Sequence, residues 1–222
     1  IQEMFNCPVL KPSTFEAFGN TISGIFEQKE IIVDKAITED LTIKEVQIQT
    51  VPRNGSDINT VIIDSFSELA KKYQRSLVNK DGVMQMQSWG KLKNKLDKTL
   101  EFITRIPGVL VVTCHSKVEM LEDGRTKEDI SKWFDFVFYT YTKKNGNSQD
   151  YMWRTKHSEI YEHAKDRTDL LPADMKQDFQ LVIGAAKEKG FSNVRILIVG
   201  SPGTGKTKSL STLINKGEEN GN

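Results

Sequence analysis

The sequence predicts an α/β fold built around a mainly parallel sheet. Short runs of apolar, β-prone residues alternate along the chain with longer segments that have helical spacing. Buried parallel strands have this composition, and helices connect them. Close to the C-terminus, residues 196–200 form such a run and lead into a glycine-rich turn and a helix-compatible segment. This succession is typical of nucleotide-phosphate sites in the same fold class.

The glycine-rich turn matches G-x-x-x-x-G-K-[ST] in full, from Gly200 to Thr207. In this motif, the P-loop, the glycines let backbone N–H groups face the phosphates, the lysine adds a positive charge and the hydroxyl ligates Mg²⁺. We therefore predict that ATP or ADP binds here together with Mg²⁺. The predicted nucleotide-binding residues are Ser201, Pro202, Gly203, Thr204, Gly205, Lys206, Thr207 and Lys208.

A second β-prone run, residues 60–63, ends in Asp64. In P-loop ATPases an aspartate at the end of a buried strand holds Mg²⁺ through water. The alternative is that Asp64 caps the following helix. Beside a complete P-loop motif we favour the metal role, and we predict Thr207 and Asp64 as the metal site and Lys206 and Asp64 as catalytic residues.

A third buried run, residues 109–114, ends in His115. If this strand lies between the P-loop strand and the Asp64 strand, His115 would lie beside the γ-phosphate. It could then sense that phosphate or orient the attacking water. The alternative is a surface histidine at a strand end. We predict His115 as the third catalytic residue.

The remaining elements are predicted from spacing and turn signals. An S-x-x-E capping box starts at Ser13 and precedes an apolar face formed by Phe15, Phe18 and Ile22. Helices are predicted over about 13–27, 66–79 and 174–189, with a further helix of about 20 residues that contains Trp89 and stops before Pro107. Strands are predicted over 30–37 and 41–49.

An Asn-Gly turn between residues 134–142 and 151–156 predicts a β-hairpin. Both of these runs are rich in aromatic residues. The aromatic side chains either stack on nucleic-acid bases or pack in the sheet, and we favour packing.

Bulk composition is ordinary for a globular protein, with 37% hydrophobic and 27% charged residues among 222. The net charge of +1 gives no global electrostatic signal for nucleic acid. No apolar run approaches about 20 residues, so we expect no membrane association. Cys7 and Cys114 match no metal-site spacing and indicate reduced thiols in the cytoplasm.

The order of the motifs along the chain is unusual. P-loop ATPases have the P-loop first, the aspartate strand second and the sensor strand third, whereas here the P-loop comes last. Either the chain is circularly permuted, or the P-loop opens a second domain that is truncated after one helix. Residues 1–190 contain no GKT-type loop of their own, so we favour one permuted domain over residues 1–222 with a flexible tail at 217–222.

With its segments rotated, the chain resembles the RecA-type nucleotide-binding proteins of bacteriophages. These proteins are labelled AAA-family ATPases and are associated with recombination and single-strand annealing. The resemblance rests on GSPGTGKT at 200–207, VIIDSFSEL at 61–69, VLVVTCHSK at 109–117, the FDFVFYTYT hairpin and AKDRTDLLP at 164–172. It implies a three-layer RecA-like core with the sensor strand in the middle, Mg²⁺-dependent ATP hydrolysis coupled to DNA, and a place in the bacterial host cytoplasm.

The chain departs from this family at the catalytic glutamate, which RecA-like enzymes carry on the strand after the P-loop helix. In rotated order that region is 1–50, and no strand there ends in an obvious glutamate. Glu39, Glu68 and Asp34 are the candidates. Two functions stay open, an ATPase that acts on DNA and a nucleotide-gated binding or assembly module with little hydrolysis.

ATP is the expected partner, and single-stranded DNA and further copies of the chain are the other partners considered. Lys156, Lys165 or Arg167 could reach the nucleotide of a neighbouring subunit as a cationic finger. The Lys/Arg-bearing loops at 117–127 and 143–156 are the candidates for contact with DNA.

Overall fold

A seven-stranded mixed sheet forms the centre of the protein, and a separate pair of strands forms a two-stranded ribbon. The computed structural model describes residues 9–38, 41–53, 58–115, 130–146 and 148–213. The described helices are α1 Phe15–Ile25, α2 Phe66–Leu77, α3 Met86–Ile103, α4 Phe179–Glu188 and α5 Lys206–Ser209, followed by a 3₁₀ turn at Leu210–Leu213. The strands are β1 Phe26–Thr38, β2 Leu41–Pro52, β3 Thr60–Ile63, β4 Val109–His115, β5 Phe136–Asn145, β6 Ser148–Arg154, β7 Lys165–Asp166, β8 Asp174–Lys176 and β9 Val194–Gly200.

The strand order in the main sheet is β3-β4-β9-β5-β6-β8, and β7 pairs with β5. Strands β3, β4, β9 and β5 run parallel to one another, whereas β6, β7 and β8 add antiparallel pairs on the side of β5. The predicted α/β class with a mainly parallel sheet is confirmed. Strand β4, which ends in His115, lies between the Asp64 strand and the P-loop strand, as the resemblance implied.

Helices cover both faces of the sheet, which gives three layers. Successive side chains of a strand point to opposite faces. In β9, Leu197 and Val199 pack in a core with α1, α2 and α3, while Ile196 and Ile198 pack in a second core with α4 and the hairpin. Both faces of β9 are therefore shielded from solvent, and its seven residues are all buried.

The N-cap of the first helix lies one residue later than predicted. Thr14, and not Ser13, caps α1, because the Thr14 Oγ1 accepts a hydrogen bond of 3.0 Å from the Ala17 N–H. The predicted apolar face is confirmed, since Phe15 and Phe18 are buried with the rest of that face. This face packs in the same core as α2 and α3.

The predicted helix at 174–189 is wrong in its first turn. Residues Asp174–Lys176 form strand β8, in which Met175 pairs with Trp153 of β6. The helix starts only after Asp178, whose side chain accepts a 2.8 Å hydrogen bond from the Gln180 N–H. Pairing with a distant strand therefore outweighs local helical spacing before that cap.

The predicted β-hairpin is confirmed, with longer strands than expected. Strands β5 and β6 pair antiparallel up to Asn145 and Ser148. Its aromatic residues Phe136, Phe138 and Trp153 are fully buried, and the last two stack with ring centroids 5.1 Å apart. Packing in the sheet is therefore the role of these three rings.

The strands predicted at 30–37 and 41–49 exist, but they are longer, and among the described strands they pair only with each other. They form an antiparallel ribbon from the Phe26–Pro52 pair onward, outside the main sheet. The main sheet thus receives no described strand from the region in which a RecA-like catalytic glutamate was sought. The tail at 217–222 and Cys7 lie outside the described residues.

Arg195 fastens the start of β9 to the connection between α3 and β4. Its side chain is only 7% exposed, and its guanidinium donates to the carbonyl oxygens of Thr104 at 2.6 Å, Gly108 at 2.8 Å and Ile106 at 2.5 Å. These carbonyls follow a helix end, where backbone acceptors lack partners within the helix. One buried side chain therefore satisfies three acceptors.

We expect Arg195→Met to lower the free energy of unfolding by about 3 kcal/mol, because the buried carbonyls of Thr104 and Ile106 lose their donor, whereas Gly108 keeps the bond from the Val194 N–H. Chemical denaturation measures the loss. Arg105→Met is the matched control, since Arg105 forms an exposed pair with Glu101 and its loss should cost at most about 0.5 kcal/mol. Equal stability of the two variants would contradict this account.

Candidate nucleotide-binding site

The predicted site residues meet at the carboxyl edge of the parallel strands. His115 lies level with Gly200 in the β4–β9 register, and Asp64 directly follows β3 on the other side of β4. Open α/β sheets bind ligands at this edge. A cavity of about 540 Å³ opens there, and Asp64, His115, Lys206 and Thr207 line it.

The P-loop holds its lysine inside the turn. The Lys206 Nζ donates to the carbonyl oxygens of Gly200 at 2.7 Å and Ser201 at 2.8 Å, and the residue is 8% exposed. Burial lowers the pKa of Lys206, and the charge of Asp64 opposes that shift. A positive charge is therefore placed next to the loop with little water around it.

Asp64 lies between two hydroxyl groups. The Thr207 Oγ1 donates to Asp64 Oδ2 at 3.0 Å, and the Thr113 Oγ1 donates to Asp64 Oδ1 at 2.5 Å. The capping alternative is wrong, because Ser65 caps α2 through a 3.4 Å bond from the Glu68 N–H. A hydroxyl and a carboxylate within hydrogen-bond distance supply the hard oxygen donors that Mg²⁺ requires.

The residues present therefore fit Mg²⁺ held partly by phosphate oxygens and water. Among the described residues, no group of three or more His, Cys, Asp and Glu side chains could hold a metal ion alone. Mg²⁺ keeps several waters and uses only one or two protein ligands beside substrate phosphates. Asp64 and Thr207 match that pattern.

His115 faces the cavity from the end of β4. Its backbone N–H donates to Ser67 Oγ at 2.9 Å, which fixes the strand end against α2. Its Nε2 lies 3.8 Å from Glu68 Oε1, and its buried Nδ1 has no hydrogen-bond partner in the described part of the chain. The side chain is 29% exposed, so it is partly enclosed by the site and not a free surface histidine.

Of the three candidates for the missing base, only Glu68 is placed in the cavity. Glu39 lies outside the described residues, and Asp34 belongs to the ribbon strand β1. The Glu68 carboxylate also accepts a 2.9 Å bond from the Lys71 Nζ. This bond, more than any other contact, holds the pKa of Glu68 below its usual value.

The predicted cationic fingers have partners within the chain. The ammonium of Lys156 pairs with Asp169, the Lys165 Nζ donates to the Ser131 carbonyl at 2.8 Å, and Arg167 pairs with Asp135 at 2.7 Å. A role on a neighbouring subunit would require each to leave that partner. Of the two loops considered for DNA, 117–127 lies outside the described residues, and the 143–156 segment forms the hairpin end with exposed Lys143 and Lys144.

Sequence reasoning missed four side chains that shape the site, namely Thr113, Ser67, Tyr151 and Gln177. The only available signal was Thr113, a hydroxyl inside an apolar strand. Ser67 and Gln177 gave no pattern, because their partners are distant in sequence. The sequence shows Tyr151 only as one of the aromatic residues of the predicted hairpin, whereas in the structure Tyr151 lines the cavity.

Comparison with known families assigns the chain. A family model described as AAA domain matches residues 20–168, about two thirds of the length. The chain belongs to the AAA domain family. Membership in this family of P-loop ATPases indicates ATP binding, and the matched span includes Asp64 and His115 but not the P-loop at 200–207. Searches of curated proteins and of solved structures gave no match.

Within the described residues, no helix is both long enough and apolar enough to pass through a lipid bilayer.

Two glycines of the P-loop allow a matched test of its packing. Gly203 and Gly205 both have left-handed backbone angles, with φ of +80° and +85°. A Cβ on Gly203 would meet no described atom within 4 Å, whereas one on Gly205 would lie 2.5 Å from Tyr151 Cδ1. We expect Gly203→Ala to cost about 1–2 kcal/mol of unfolding free energy through φ alone. Gly205→Ala should cost about 1–3 kcal/mol more because Tyr151 must move.

Urea denaturation of the two variants checks the difference. Equal losses would mean that Tyr151 does not restrict a side chain at position 205.

Proposed function

We propose that this AAA domain protein binds Mg²⁺–ATP at the P-loop and hydrolyses it, with coupling to DNA recombination or single-stranded DNA in a phage. The observation that supports this best is the 3.0 Å hydrogen bond between Thr207 of the P-loop and Asp64 of a separate strand. The two halves of a Mg²⁺–nucleotide site come from residues 143 positions apart. Such a meeting is difficult to explain for an ordinary glycine-rich turn.

In this proposal the P-loop backbone, Lys206 and Thr207 have separate roles in binding Mg²⁺–ATP. The backbone N–H groups of residues 203–207 bind the β- and γ-phosphates, and the Lys206 ammonium turns from its own loop carbonyls toward them. Thr207 and Asp64 would hold Mg²⁺, which when bound would supply positive charge beside the phosphate oxygens. Thr113 keeps Asp64 in place by donating to its other oxygen.

Water activation falls to His115 and Glu68. His115 Nε2 and Glu68 Oε1 lie 3.8 Å apart, which is too far for a close direct hydrogen bond. A water molecule beside the two side chains could therefore bond to both. In hydrolysis, a water oxygen bonds to the γ-phosphorus as the bond to the ADP oxygen breaks. His115 orients that water, and Glu68 accepts its proton.

We also propose that the chain is one circularly permuted domain and not a domain followed by a truncated second one. In support, the P-loop strand β9 lies inside the main sheet between β4 and β5, and is not appended to its edge.

Lys206→Ala tests nucleotide binding. We expect it to raise the Kd for Mg²⁺–ATP at least about 100-fold, because a buried charge that faces phosphate is removed. Isothermal titration calorimetry measures this, with Lys91→Ala, at an exposed position of α3, as the control that should bind as the wild type does. Unchanged affinity of Lys206→Ala for Mg²⁺–ATP would contradict nucleotide binding at the P-loop.

Thr207→Val covers the case in which Lys206→Ala folds poorly, because Thr207 is exposed. It should abolish the gain in ADP affinity that Mg²⁺ provides while leaving Mg²⁺-free ADP binding within about twofold. A normal Mg²⁺ effect in this variant would remove Thr207 from the metal site.

A nucleotide-gated binding or assembly module with little hydrolysis is the second candidate. Two observations favour it. The Lys71 bond makes Glu68 a weaker base, and no strand of the main sheet in the described residues carries a glutamate at the RecA-like position. Such a protein would bind ATP as tightly as an ATPase but release phosphate very slowly.

Phosphate release with and without single-stranded DNA separates the two functions. We expect the ATPase to be stimulated by DNA, and His115→Ala to lower kcat by about 100-fold with little change in ATP affinity.

Binding of a labelled oligonucleotide should weaken steeply between 50 and 200 mM salt. Lys143→Ala together with Lys144→Ala should weaken it further. No stimulation and no salt-dependent binding would leave the binding module as the function.

A further inference from the structure

Two side chains contact the P-loop from the hairpin side, opposite the Asp64 and His115 side. Tyr151 belongs to β6, and Gln177 directly follows β8. The Gln177 N–H donates to the Tyr151 carbonyl at 3.3 Å, and the Gln177 Nε2 donates to the Met152 carbonyl at 3.3 Å. These bonds join the two residues into one unit, which we call the Tyr151–Gln177 support.

The support touches two positions of the P-loop, Thr204 and Gly205, and Lys208 directly after it. The Gln177 Nε2 donates to the Thr204 carbonyl at 3.1 Å, and the Lys208 Nζ lies 4.7 Å from the centre of the Tyr151 ring. Gly205 lies directly against both side chains, since a Cβ there would be 2.5 Å from Tyr151 Cδ1 and 2.9 Å from Gln177 Oε1. Glycine at this position is thus required by packing as well as by φ.

The orientation of the Gln177 amide is fixed by its two acceptors. Its Nε2 serves the carbonyls of Met152 and Thr204, while its buried Oε1 has no partner among the described residues. A flipped amide would place that oxygen against two carbonyl oxygens. The observed orientation is therefore the one that can hold the P-loop, at the expense of one unsatisfied acceptor.

We propose that Tyr151 and Gln177 are positioning residues for phosphate binding, which fix the backbone around Gly205 so that the P-loop N–H groups face the phosphates. This rests on the proposed nucleotide function of the loop. A loop that binds through backbone N–H groups loses affinity when those groups must first be ordered. Packing from the hairpin supplies that order before the ligand arrives.

The support acts on the phosphates and not on the base. Its loss should therefore weaken Mg²⁺–ADP and Mg²⁺–tripolyphosphate by the same factor. If Tyr151 instead stacked on the base, only ADP would be affected, because tripolyphosphate has no base. The ratio of the two affinities thus distinguishes a positioning role from a direct contact with the base.

The experiment compares Tyr151→Leu, Tyr151→Phe and Tyr141→Leu by calorimetry with both ligands. We expect Tyr151→Leu to raise both Kd values about tenfold, and Tyr151→Phe, which keeps the ring, to stay within about twofold of the wild type. Tyr141→Leu removes a ring from the same hairpin, but that tyrosine bonds Asp174 and should leave both Kd values unchanged. Gln177→Ala should repeat the loss seen with Tyr151→Leu.

Hydrogen exchange of the nucleotide-free protein gives a readout independent of binding. In the peptide that covers residues 200–210, Tyr151→Leu should exchange at least about threefold faster than wild type, and Tyr141→Leu should not. Faster exchange in both variants would indicate general loosening of the hairpin and overturn the proposal.

The remaining outcomes are equally decisive. Wild-type affinity of Tyr151→Leu for both ligands overturns the positioning role and leaves the proposed function intact. Weaker ADP binding with unchanged tripolyphosphate binding overturns it in favour of base stacking. A wild-type chain that binds neither ligand removes the proposed function and this inference with it.

Discussion

The carboxylate of Asp64 is the group on which the site depends. It accepts hydrogen bonds from Thr207 on one oxygen and from Thr113 on the other, and so connects the ends of β3, β4 and the P-loop helix. Hydrogen bonds to an ionised carboxylate are stronger than those between neutral groups, and the Thr113 bond at 2.5 Å is the shorter of the two. They are possible only because the parallel register brings the carboxyl ends of β3, β4 and β9 to the same edge. Register therefore determines the chemistry of the site.

The P-loop lies between two groups of side chains with different tasks. Asp64, His115 and Glu68 line the cavity from the side of β3 and β4, and the Tyr151–Gln177 support packs against Gly205 from the hairpin side, where Tyr151 also lines the cavity. The first group is polar and partly exposed, as bound phosphate and water require. The second is fixed by packing and by backbone hydrogen bonds. This division lets the loop be rigid where it binds and accessible where chemistry would occur.

Local patterns were sufficient to predict the strands and the residues at their ends. The P-loop, the Asp64 strand and the His115 strand are each set by a few consecutive residues, and the structure brings all three together. What failed depended on contacts between distant segments. Strand β8 replaced a predicted helical turn because Met175 pairs with Trp153. The Tyr151–Gln177 support could not be predicted, because no pattern near Tyr151 in the sequence indicates that this side chain contacts Gly205.

The central position of β9 has a consequence for synthesis on the ribosome. Its two neighbours in the sheet, β4 and β5, both precede it in sequence, as does every other described strand. Until β9 emerges, the facing edges of β4 and β5 have no partner, and such open edges invite pairing with other chains. Chains fold largely from the N-terminus during translation, and non-local pairing is slow. The phosphate site is therefore completed last, after every other described strand of the sheet has been synthesised.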